Sequence, residues 1–148
     1  MKTDPKLNTE NADTVDIDSF DAVSGAEVGY EFELKDVDGM TGTGVFLTVI
    51  GRHSDPCQKW LAKIVNAHTI EQHQAQKRGK VATPKSLEAL QAQNIEGALV
   101  RAVGWRNVKQ KFSAEVLKRA LLRNPHWVEQ ITAESDDTGN FSKKPSTT

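Results

Sequence analysis

The chain has 148 residues, 37% of them hydrophobic, with 19 basic against 20 acidic side chains and a formal net charge of -1. That size suits one domain with tails and a small core. No window approaches the roughly 20 apolar residues that cross a bilayer. Cys57 is the only cysteine, which leaves no internal disulfide and no multi-cysteine metal centre, and fits a reducing compartment.

The near-neutral total hides a separation of charge: residues 1–26 hold 2 basic and 6 acidic side chains, and residues 52–123 hold 14 and 5. Either an anionic partner for the middle or an acidic arm folded back over it would use that asymmetry. Residues 1–25 are rich in Asp, Asn, Thr and Ser, with too few apolar side chains to offset the entropy of ordering, and read as a flexible acidic arm. The stretch Met1–Asp18 lacks the apolar run of a secretory signal, so the expectation is a soluble, unexported protein.

A single α+β domain is expected over 26–135. Val28, Tyr30, Phe32 and Leu34 alternate with Gly29, Glu31, Glu33 and Lys35, the pattern of a half-buried strand. Asp38-Gly39 marks a turn, and Gly44–Ile50 is a β-branched and aromatic run, so the two segments should form a hairpin. Two strands alone are marginal, and helices must cover their apolar face. Ser54-Asp55-Pro56 opens a helix carrying Cys57, Trp60, Leu61, Ile64, Val65 and His68 at helical spacing; beyond Thr69 it turns polar on all sides and ends near Gly79.

Thr83-Pro84 repeats the cap-and-proline start. Leu87, Leu90, Ile95, Ala98, Leu99, Ala102 and Val103 then trace a second helix to Gly104, expected at the centre of the core. Ser113 caps a third helix, with Phe112 placed to staple onto Leu117, and Asn124-Pro125 opens a short fourth. The fold expectation is therefore an amino-terminal β-hairpin packed on about four helices, with a polar tail over 136–148.

Chemical motifs are sparse. His68 and His73 are five residues apart, which rotates them away from each other on a helix, whereas a helical metal pair needs a spacing of three or four. No metal site and no cofactor are expected. Cys57 lies on an apolar stripe beside Trp60 and reads as a small buried hydrophobe; pairing it with His53 or His126 as nucleophile and base lacks a third orienting group. Gly42-Thr43-Gly44 precedes a strand, and no Gly-Lys-Ser/Thr follows it, so it is not a phosphate loop. Glu31, Glu33, Asp36 and Asp38 lack the spacing of a calcium loop. No enzymatic function is expected.

Arg101, Arg106, Lys109, Lys111, Lys118, Arg119 and Arg123 surround Trp105 and Phe112, a mixture that suits a small basic nucleic-acid-binding module. No helix-turn-helix, RNA-binding aromatic motif or zinc finger accompanies it, so nucleic acid stands second to a protein partner. Trp60, Trp105 and Trp127 fit either core packing or interface anchoring.

Gly44-Val45-Phe46-Leu47-Thr48-Val49-Ile50-Gly51-Arg52-His53-Ser54-Asp55, then Gly104-Trp105, Phe112-Ser113-Ala114-Glu115, Pro125-His126-Trp127-Val128-Glu129-Gln130-Ile131 and Asn140-Phe141 together resemble a tail assembly chaperone of long-tailed (siphovirus-like) bacteriophages. The resemblance covers 40–141 and leaves the acidic arm unmatched. It implies a non-enzymatic protein of the host cytoplasm, not retained in the virion. Such a protein keeps the tape measure protein soluble and helps the major tail (tube) protein polymerise around it. Self-association is a further option, and no membrane is involved. A long helix of the tape measure protein would need an apolar surface to lie on, and Trp105, Phe112, Trp127 and Phe141 are the residues assigned to it.

Overall fold

A computed structural model describes residues 14–142. Its elements are a 3-10 turn (Ile17–Ser19), α1 (Ala22–Ala26), β1 (Tyr30–Lys35), β2 (Gly42–Val49), α2 (Asp55–Lys77), α3 (Leu87–Arg101), β3 (Ala102–Arg106), α4 (Ala114–Arg123), α5 (His126–Asp136) and a second 3-10 turn (Thr138–Phe141). The α+β class is as the sequence indicates.

β1 and β2 pair antiparallel, Tyr30 opposite Val49 and Phe32 opposite Leu47. Asp38 organises their turn by accepting from the backbone N–H of both Met40 and Thr41 at 2.9 Å. These three bonds, counting the one from the Thr41 hydroxyl, hold the Asp38 carboxyl down at about 2, below its ordinary value.

A third strand departs from the hairpin expected. β3 lies beside β2 with Trp105 opposite Leu47 and Arg106 opposite Phe46, giving the sheet order β1-β2-β3. Ala102 and Val103 continue the helical spacing of α3, which is why the sequence reads as helix to Gly104. The chain instead turns extended at Ala102 (φ −84°, ψ 128°). The carbonyl of Arg101 then accepts the Ile50 N–H at 2.9 Å, so the end of the helix is tied to the end of β2. Pairing with an open strand edge overrides the local helical pattern.

Residues directly opposite each other share a face. One face of the sheet carries Tyr30, Phe32, Leu34, Leu47, Val49 and Trp105, and these pack with Ala98, Leu117, Leu121, Val128 and Ile131 of the helices. The other face carries Glu31, Glu33, Phe46, Thr48 and Arg106, with Arg106 paired to Glu31 at 2.8 Å and stacked over the Phe46 ring. α3 touches α2, α4, α5 and β3 and is the central helix, as expected.

Two helix starts differ in detail. Ser54 occupies the cap position of α2 but makes no side-chain capping bond. Its hydroxyl is buried without a partner among the described residues, and the Asp55 N–H is taken by Glu27 at 3.1 Å. α3 begins at Leu87 behind Ser86, whose hydroxyl accepts the Ala89 N–H, so the cap is Ser86 and not Thr83. Ser113 caps α4 through Val116 N–H at 3.1 Å, as its position suggests.

The ends also carry more structure than the sequence implies. Where the arm expected over 1–25 meets the domain, Ala22–Ala26 is helical with Gly25 and Ala26 buried, and the Ala26 carbonyl accepts the Gly51 N–H. Residues 1–13 lie outside the described residues. In the polar tail, Thr138–Phe141 forms a turn, and the Phe141 ring meets Tyr30 edge-on at 6.1 Å.

Candidate docking groove

Trp105 sits on β3, and the loop of residues 107–112 folds back so that its indole N–H donates to the Gln110 carbonyl at 2.9 Å. Asn107 permits that reversal with a left-handed backbone (φ 64°) and anchors it by donating to the Gly44 carbonyl. Phe112, at the end of the loop, stands perpendicular to Trp105 with ring centres 5.1 Å apart. Trp127, on the first turn of α5, donates its indole N–H to the Lys35 carbonyl at 2.9 Å. Gln130 holds the same residue at both ends, donating to its carbonyl and accepting from its N–H. All three aromatics are half-buried against the core.

Trp105 and Trp127 border a cleft of about 270 Å³ lined also by Leu34, Val45, Val108 and Val116 among others, with Arg119, Arg123 and Asn124 on its wall. The structure thus brings Trp105 and Trp127 to one groove, with Phe112 bracing Trp105. Phe141 is elsewhere: its ring lies over Gly51, where a Cβ would come within 2.9 Å of it. There it borders a separate cleft of about 660 Å³ formed with the 19–26 segment and Arg52 and His53.

The basic cluster divides. Arg101 is buried, bonded to the Gly97 carbonyl, near Asp136 at 3.4 Å and 5.6 Å from the Trp60 ring centre. Arg106 is engaged with Glu31, which raises its guanidinium pKa through their hydrogen bond. Lys109, Lys111, Lys118, Arg119 and Arg123 make no ion pair among the described residues. Unneutralised positive charge therefore collects on α4 and its preceding loop.

Cys57 is a free, buried thiol. No group of three or more His, Cys, Asp or Glu could hold a metal ion among the described residues, and no helix there is long and apolar enough to cross a membrane. Sequence reasoning missed Leu34, Val45, Val108 and Val116 as groove walls. The strand character of Val103-Gly104-Trp105-Arg106 was the signal that could have placed Trp105 against them.

Compared with known proteins, the chain matches no family profile, and no curated protein or solved structure shows significant similarity to it. The fold and groove define the protein as a small α+β domain with an aromatic cleft edged by cations.

Proposed function

We propose that the protein is a non-enzymatic assembly chaperone of a long-tailed phage, acting in the host cytoplasm by binding the tape measure protein and assisting assembly of the tail tube. The observation that carries this reading is convergence. Gly104-Trp105 and the Pro125–Ile131 segment, two of the stretches that bear the resemblance, are far apart in sequence yet line one cleft through Trp105 and Trp127, and Phe112 of a third such stretch braces Trp105. A cleft with apolar lining and a polar margin suits protein docking.

The test is co-expression with a long helical tape measure protein followed by pull-down and a solubility assay. Retention and solubilisation support the reading, and Val108→Glu, which places a charge on the cleft wall, should abolish both. A well-expressed tape measure protein that is neither retained nor solubilised would overturn it.

The free cations of α4 and its loop favour a second reading, a nucleic-acid-binding module. It requires affinity for DNA or RNA that falls steeply as salt rises. Flat titrations would remove it.

A further inference from the structure

The groove also carries information about what occupies it. Much of its wall is apolar, formed by Leu34, Val45, Val108 and Val116 with the two indoles, and about 270 Å³ is room for one large apolar side chain and not for a folded domain. Both indole N–H groups are spent within the chain, on Gln110 and Lys35, so the rings offer a visitor only apolar surface.

One wall is charged. Arg119 and Arg123 line the cleft four residues apart on α4, which places them one helical turn from each other on the same face. Neither has a carboxylate partner among the described residues, and Lys109, Lys111 and Lys118 stand exposed nearby in sequence, equally unpaired.

We infer that the groove takes an acidic amphipathic helix: one large apolar residue seated between Trp105 and Trp127, with carboxylates a turn apart meeting Arg119 and Arg123. Guanidinium groups pair well with carboxylates. Spacing on the two helices then matches, since side chains four apart on the visitor share a face as Arg119 and Arg123 do. A nucleic acid would use the cations but leave the apolar lining unfilled. This inference rests on reading the cleft as a protein-docking site and specifies the chemistry of the segment that docks.

The probe is a labelled peptide of about four helical turns, with Leu at its centre and Glu a turn apart on the same face, titrated into the full chain by fluorescence anisotropy. Its counterpart carries Lys in place of each Glu. The Glu peptide should bind and the Lys peptide should not. Raising salt should weaken binding, and Arg119→Glu with Arg123→Glu should weaken it about tenfold or more. Lys77→Glu, which reverses one exposed charge at the far end of α2, should leave it unchanged.

Equal binding of both peptides, indifference to the Arg119 and Arg123 changes, or displacement of the Glu peptide by a tighter-binding single-stranded oligonucleotide would overturn the inference. All the substituted residues are exposed, and circular dichroism checks that each variant folds. The co-expression assay separates this inference from the chaperone reading. Retention of the tape measure protein that survives Arg119→Glu with Arg123→Glu overturns the acidic-helix inference alone, whereas loss of retention by the unmodified chain that still binds the Glu peptide overturns the chaperone reading alone.

Discussion

The sheet and the helices packed on it differ sharply from the long α2 and the segment that returns from it. In the body, Leu34, Leu47, Val49, Leu117, Leu121 and Ile131 are almost wholly excluded from water. In α2, a helix of 23 residues, only Cys57 and Ala75 are buried, while Val65 and Ile70 are exposed, as are Val81, Leu87 and Leu90 on the way back. The body is held by apolar burial, at roughly 25 cal/mol per Å². The outer half of α2 rests instead on residues with good helix propensity, Glu71, Gln72, Gln74, Ala75, Gln76 and Lys77. Helix content and tertiary stability are therefore separable in this chain, and a helix boundary read correctly says little about how firmly the helix is held.

Substitutions can break that contrast. Leu47→Ala, at a side chain with no exposed surface, should cost about 3 kcal/mol in chemical denaturation, whereas Val65→Ala, 61% exposed, should change stability by less than about 0.5 kcal/mol. Comparable losses from the two would show that α2 is as well packed as the sheet.

Gly97 sits where the regions join. A Cβ there would stand 2.7 Å from the Trp60 ring and 2.9 Å from Arg101 Nη1, so Gly97→Ala should destabilise by about 2 kcal/mol through overpacking. The same change should disturb Trp60, whose indole N–H donates to Glu96 at 2.9 Å. Tryptophan fluorescence together with the denaturation midpoint reads both effects. A stabilising Gly97→Ala, as helix propensity alone would give, would mean that Trp60 does not press on α3.

Ser135 ties α5 to the end of β2, its hydroxyl donating to the Ile50 carbonyl at 2.7 Å from a fully buried position. Ser135→Ala should cost about 1 kcal/mol by leaving that acceptor unpaired, measured by the shift in denaturation midpoint.

The smallest effect concerns pH. Asp38 is depressed to about 2 in the folded state, first by its side-chain bond from Thr41 and then by the backbone N–H groups of Thr41 and Met40. A lowered folded-state pKa adds stability above the unfolded value, near 3.9, which is lost as pH falls toward 2. NMR titration should show the Met40 and Thr41 amides shifting in that window. Amides that move only near pH 4 would mean that Asp38 does not hold the turn.

The sequence is legible where local and tertiary preferences agree. Alternation in Tyr30–Lys35, the Asp38-Gly39 turn and the Ser113 cap each specify an element that forms. β3 is not legible in the same way, because Ala102 and Val103 satisfy the helical spacing of α3 and only the open edge of β2 decides for a strand. Thr83-Pro84 looks as good a start as Ser86, yet the helix waits for Ser86. The groove was half visible. Trp105 and Trp127 are conspicuous, but Leu34, Val45, Val108 and Val116 become its walls only through sheet register and the reversal at Asn107. Phe141, grouped with them by its aromatic character, is drawn instead to Tyr30 and Gly51 by the turn after α5.

The most direct test of the account is hydrogen exchange on the protein alone and after co-expression with the tape measure protein proposed as its partner. Docking in the groove predicts added protection in the 105–112 segment and along α4, with the outer half of α2 exchanging as rapidly as before. Protection confined to α2 and residues 78–90, with the groove unchanged, would contradict the assignment of the docking site.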